Sequence, residues 1–129
     1  MATATSTDTR YLTLLEAGGY EIATDSEFNS VGGTAGVRPH DLLDGALASC
    51  IAMTIRMAAD GRGTKLTGVT VDVTHEDNEP LAATFHCTVA LEGDLSDKER
   101  AGLIRVAHHC PISKLLNKSV EIGITERVI

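Results

Sequence analysis

Aromatic residues are almost missing. Two tyrosines, two phenylalanines and no tryptophan occur among 129 residues, so the core must be aliphatic. The shortage also counts against a base-stacking single-strand binder, which needs exposed aromatics in a positive groove. Positive charge is short as well: eleven Lys and Arg stand against eighteen Asp and Glu, a formal net charge of −7. That balance disfavours nucleic acid and anionic membrane surfaces as partners. The start, Met1 to Asp8, has no basic end followed by an apolar run, so no secretory signal is expected. The longest apolar stretch is broken by Asp44, Ser49, Thr54 and Arg56, which argues against a membrane span. The three cysteines, Cys50, Cys87 and Cys110, cannot all pair, and without a CxxC neither a zinc ribbon nor a thioredoxin-type motif is supported. Neither GxSxG, HExxH nor a Walker motif occurs. His40, His75, His86, His108 and His109 show no ligand spacing, so no metal is expected. These exclusions leave a single-domain cytoplasmic protein spanning residues 1–129, in which a disulfide would be transient.

What is present centres on Pro39–Arg62, which reads as one long helix. Pro39 suits the first turn, where its missing N–H costs nothing. Asp41 and Asp44 put negative charge near the positive end of the helix dipole, and Gly61 and Gly63 end the run. Leu42, Leu43, Ala46, Leu47, Ile51, Met53, Ile55 and Met57 cover most of the circumference, which predicts a helix at the centre of the fold. Cys50 stands in its middle turns.

Around it, residues 1–8 read as a loose end. Arg10–Glu16 and Tyr20–Thr24 read as a hairpin across Ala17-Gly18-Gly19. Asp25–Val37 reads as a flexible connection; its glycines lack the Lys-Ser/Thr pair of a phosphate loop. Val69–His75 alternates cleanly and predicts a strand, Glu76–Pro80 an acidic turn, and Ala83–Glu92 the returning strand. Phe85, Cys87, Val89 and Leu91 share a face of it, so Cys87 is expected to be a structural core residue. Ser96 and Glu99 form a capping box for a helix to His109. Cys110-Pro111 breaks that helix, Pro111–Asn117 predicts a short one, and Val120–Thr125 a last strand. The order is that of an α+β fold, antiparallel sheets packed on helices.

Cys50 and Cys110 are the candidate chemistry. Periodicity alone leaves Cys50 open between a buried filler and a functional thiol, because burial by itself makes a thiol inert. Cys110 lies at the start of a short helix, whose N–H groups would favour a thiolate, with His108 and His109 adjacent.

Pro39-x-x-Leu42-Leu43-x-x-Ala46-Leu47-Ala48-Ser49-Cys50-x-x-Met53-Thr54-x-Arg56-Met57 resembles the first-cysteine helix of the OsmC/Ohr family, the osmotically inducible and organic hydroperoxide resistance proteins. Leu66-x-Gly68-Val69-x-Val71-x-Val73 resembles the strand that follows. Gly93-Asp94-Leu95-Ser96 and Ala107-x-x-Cys110-Pro111-Ile112-Ser113-x-x-Leu116 resemble the second-cysteine segment. The resemblance is to the general OsmC-like branch. It implies an intertwined homodimer with the long helices central and the sites at the subunit interface. It implies a thiol peroxidase that reduces organic hydroperoxides and needs no metal, haem or flavin. Cys50 would be peroxidatic and Cys110 resolving, with a thiol or dithiol reductant, lipoyl in some relatives, reopening the disulfide. Active relatives carry Glu directly after the helix-opening proline and an Arg in an N-terminal loop. Here His40 follows Pro39, with Asp41 next, and the hairpin turn holds no Arg. Arg38, then Arg10, with His40 or Asp41, are the available substitutes. The alternative is a non-catalytic OsmC-like protein that binds a small hydrophobic ligand or senses redox state through its thiols.

Overall fold

The structure is a computed structural model that describes residues 1–129. Its elements run β1 (Ala2–Ser6), β2 (Thr13–Ala17), β3 (Tyr20–Thr24), α1 (Pro39–Arg62), β4 (Leu66–Glu79), β5 (Ala82–Gly93), α2 (Asp97–Ala107) and α3 (Pro111–Leu116). The fold is α+β with antiparallel sheets and a long helix, as expected. Contacts divide the chain into two compact units, Met1–Gly45 and Ala46–Ile129.

In the first unit, β1, β2 and β3 form a three-stranded antiparallel meander. Gly18 and Gly19, at φ +59° and +85°, make the two-residue turn between β2 and β3 and set Ala17 opposite Tyr20. Two successive positive φ angles suit glycine and match the twist of a hairpin. The segment expected to be loose is instead β1, paired from Ala2↔Ala17 to Ser6↔Thr13. It buries nothing, so hydrophobic patterning could not reveal it; its hold is the backbone ladder along the edge of β2. Arg10 lies outside β2, in the turn that follows β1, where Tyr11 takes φ +64°.

The connection after β3 is also more ordered than expected. Asp25, 4% exposed, accepts backbone N–H groups from Ser26 at 2.8 Å, Gly33 at 2.9 Å and Ala35 at 3.1 Å. The Ala35 bond, with those from Ser26, Gly33 and Thr34, outweighs burial and holds the Asp25 carboxyl below its ordinary range. A single carboxylate with four lone-pair sites thus ties the two ends of a glycine-rich loop.

The second unit holds the core. Leu47, Ile51, Ile55 and Ala59 recur every four residues along α1 and are buried, with Leu66, Leu103 and Cys110. Val69, Val71, Val73, Val89 and Leu91 of the β4–β5 hairpin pack against them. By length and apolarity alone α1 could cross a membrane; here Ile55 and Ala59 are fully enclosed by the rest of the unit. The buried stripe is narrower than the helix's apolar circumference: Leu43, Met53 and Met57 remain 44%, 58% and 69% exposed. Gly63, at φ +64°, stops α1 by a Schellman arrangement. The N–H of Thr64 reaches the carbonyl of Ala59 at 2.9 Å, and that of Gly63 reaches Asp60 at 3.3 Å.

β4 and β5 are longer than expected, and the chain turns at Pro80-Leu81 rather than along Glu76–Pro80. The capping box is present: Ser96 Oγ accepts the Glu99 N–H at 3.1 Å, and Glu99 Oε1 accepts the Ser96 N–H at 3.0 Å. α2 ends at Ala107, with His108 as its cap. The last strand is not formed. Val120, Ile122 and Ile124 are 62%, 80% and 90% exposed and lie in irregular chain. Alternation specifies a strand only where there is an edge to pair with and a face to bury.

Candidate functional site

Cys50 and Cys110 come together in the second unit. Cys50 projects from α1 between the buried positions Leu47 and Ile51, and its side chain is partly exposed. Its own carbonyl accepts the Thr54 hydroxyl at 2.7 Å, a bond within the helix that leaves the sulfur uninvolved. Cys110 is fully enclosed, 0% exposed. It caps α3: extended backbone precedes Pro111 in the first turn, and Sγ accepts the Ser113 N–H at 3.2 Å. Pro111 enforces this geometry, since the residue before proline avoids helical angles and proline itself gives up no needed donor.

The two thiols lie close enough to act on one another, and neither is in a disulfide. The expectation that a helix start would make Cys110 a ready thiolate is corrected. Burial pushes the Cys110 thiol up; the Ser113 N–H opposes this, the Cys50 side chain reinforces it by hydrogen bond and charge, and the Ile112 N–H adds a smaller opposing pull. A helix of six residues offers few free N–H groups, and they do not match the loss of water around sulfur. His108 and His109 are exposed and are not among the groups that act on it. Of the pair, Cys110 is thus the thiol held protonated and out of solvent, and Cys50 is the one with access.

A cleft of about 600 Å³ is lined by residues next to both thiols, though by neither sulfur itself. Leu47 and Ile51, which flank Cys50, form one wall with Ile104 and Ala107 of α2; Phe85, Cys87 and Val89 of β5 form another; His108, Ser113 and Asn117 supply the polar points. Ser113, whose N–H grips Cys110, therefore also faces the cleft. Cys87 is corrected too. It pairs with Val73 across the hairpin on the core-facing side, yet it is exposed, because the inner face of β5 opens here into the cleft.

The remaining candidates lie in the first unit. Arg38 accepts the Leu42 N–H at its carbonyl as α1 begins, and its guanidinium meets Asp41 at 3.7 Å with both side chains more than half exposed. His40 follows on the exposed first turn. Along α1 the ten residues from His40 to Cys50 correspond to about 15 Å at the helical rise. Arg38 and Asp41 are thus brought together, with His40 between them in sequence on the first turn, and the two thiols are brought together with one another. Sequence reasoning missed Ser113 as a contact to sulfur, although an N-cap followed three residues later by its N–H partner is a legible spacing. It also missed Arg56, whose guanidinium donates to the carbonyls of Leu66 at 2.8 Å and Thr67 at 3.3 Å and fastens α1 to the start of β4. No spacing rule signals that contact.

Comparison with known proteins places the chain by family model and by fold. The family model described as OsmC-like protein matches residues 32–125. An osmotic-stress-induced and detoxification-response protein of Psychrobacter arcticus 273-4 superposes with a TM-score of 0.73 at 25% identity, over 88% of this chain and 85% of that one. An OsmC-like protein of Mycoplasma pneumoniae gives 0.77 at 18% identity, over 90% and 85%. The organic hydroperoxide resistance protein OsmC of Legionella pneumophila gives 0.64 at 21% identity, over 91% and 88%. No curated protein matches the chain in sequence.

Proposed function

The chain belongs to the OsmC-like protein family, and from that premise we propose that it is a thiol-dependent peroxidase for organic hydroperoxides. Family membership, together with neighbours named for hydroperoxide resistance, supports a peroxide-related stress role. The observation that carries the finer reading is the neighbouring pair of one accessible and one enclosed thiol, with an apolar-walled cleft lined by residues next to them.

In the proposed cycle the ionised Cys50 sulfur attacks the terminal oxygen of ROOH. The O–O bond breaks, the alkoxide leaves with a proton as ROH, and Cys50 becomes a sulfenic acid. The Cys110 sulfur then attacks Cys50, hydroxide leaves with the Cys110 proton as water, and a Cys50–Cys110 disulfide forms. A dithiol gives up two hydrogens, becomes a disulfide and restores both thiols. The cytoplasm supplies such reductants. The apolar wall would take the substrate's R group.

Two copies are proposed to form the working unit. Leu43, Met53 and Met57 on α1, and Val120, Ile122 and Ile124 near the C-terminus, present apolar surface that a single chain leaves in water. A partner would also solve the matter of tuning. Arg38, His40 and Asp41 are proposed to tune a thiol across that interface, the partner supplying the groups that act on Cys50.

The test is a peptide map of the fully reduced protein after stoichiometric cumene hydroperoxide. A Cys50–Cys110 disulfide with Cys87 still a thiol is expected. Slow oxidation spread over all three cysteines would overturn the cycle. The cleft also favours a second reading, a small apolar ligand bound without turnover; sustained dithiol-dependent consumption of the hydroperoxide would exclude it.

A further inference from the structure

A second pocket, of about 270 Å³, lies away from the thiols where the end of α1 meets α2. Arg62, Thr64, Lys98, Glu99, Gly102 and Arg105 line it. Three of these six are cations, in a chain whose net charge is −7. Gly102 is buried, and a methyl group there would lie 3.2 Å from Arg62 Nη1 and 3.6 Å from Arg105 Nη2. The two guanidiniums therefore converge over one glycine. Neither forms an ion pair with a carboxylate.

The usual sinks for such charges are already filled. Arg62 and Arg105 stand in the last turns of their helices, where backbone carbonyls attract cations. The carbonyls of Ala59 and Asp60, however, accept from Thr64 and Gly63, and those of Arg105 and Val106 accept from the N–H groups of His108 and His109. Glu99, the one acid in the lining, is turned to the capping box. Its bonds with the Ser96 N–H and hydroxyl, with a smaller contribution from Lys65, hold its carboxyl below its ordinary range against burial. Two guanidiniums, an ammonium and the Thr64 hydroxyl thus converge on one pocket against a single carboxylate, Glu99, which the capping box engages.

We infer that this pocket binds a small oxyanion, of the phosphate-monoester class. Guanidinium forks match the oxygens of phosphate in bidentate fashion, and Lys98 adds a third positive charge. A tetrahedral oxyanion replaces only a few waters of about 30 Å³ each, so the pocket has room for the group that carries it. A long polyanion is disfavoured, because the rest of the chain would repel it. The site stands independently of the peroxidase reading.

Calorimetric titration of the full chain with inorganic phosphate and with phenyl phosphate, at fixed ionic strength in chloride, tests it. One saturable site is expected, tighter for the ester. Arg62→Gln and Arg105→Gln should each weaken it by about tenfold or more, the size expected for losing a charge-assisted hydrogen bond. All three cations lie on exposed positions, and Lys98→Gln should weaken binding several-fold with an unchanged melting temperature. Saturable binding unaltered by these three substitutions would overturn the inference, as would no saturable heat with either probe at tens of millimolar.

Discussion

Replacing Cys110 by Ala separates structure from chemistry at the site. The Cys110 sulfur is fully buried and accepts the Ser113 N–H at 3.2 Å as the cap of α3. Loss of a cap costs about 1 kcal/mol. Removing one buried heavy atom, comparable to Ile→Val, costs about another 1 kcal/mol. A total of about 2 kcal/mol lowers Tm by about 8 °C in a domain of this size, so the variant should remain folded at 25 °C. Its chemistry should change outright. With no thiol to close the disulfide, Cys50 should stop at sulfenic acid under stoichiometric hydroperoxide and proceed to sulfinic acid with excess. Intact-mass analysis would read the successive gain of one and two oxygen atoms, and a sulfenic-acid-specific dione would trap the first. Cys110→Ser, whose hydroxyl can keep the Ser113 bond, should recover part of the stability and none of the disulfide. The reasoning is refuted if Cys110→Ala gives the same products as the unaltered protein, or loses far more than about 2 kcal/mol while its oxidation is unchanged.

Two further outcomes follow from the same geometry. Ile55→Ala removes a side chain that is fully enclosed in the α1 stripe and should cost about 2–5 kcal/mol; urea unfolding that loses under about 1 kcal/mol would mean the stripe is not the core. Asp25 has its folded pKa depressed by the Ala35 N–H and its neighbours. The stability it adds is therefore present above the ordinary carboxylate value of 3.8 and lost as pH falls through the lower folded value. Asp25→Asn should flatten that acid limb in thermal melts recorded from neutral pH downward, and an unchanged slope would show that the loop does not depend on the carboxylate.

Much of this protein was legible along the chain because the physics concerned is local. The i, i+4 spacing from Leu47 to Ala59, the Ser96–Glu99 box, the Val69–Val73 alternation and the proline at 111 each act within one or two turns of backbone. They specified the long helix, the second helix, the hairpin and the break. The two cysteine contexts carried the family resemblance and so marked Cys50 and Cys110. What lay beyond a local reading depends on what each segment meets in space. β1 is held by a backbone ladder that side-chain patterning does not record, and Val120–Thr125 alternates like a strand but finds no edge. Cys87 has a core residue's pattern but faces an open cleft. Asp25 opens a stretch that reads as a flexible connection, and only the folded loop brings three N–H groups to its carboxylate. The sequence alone determined which residues could form each element. Tertiary structure decided which thiol lost its water and was raised, and which kept access, because desolvation depends on every neighbour at once and no spacing along the chain encodes it.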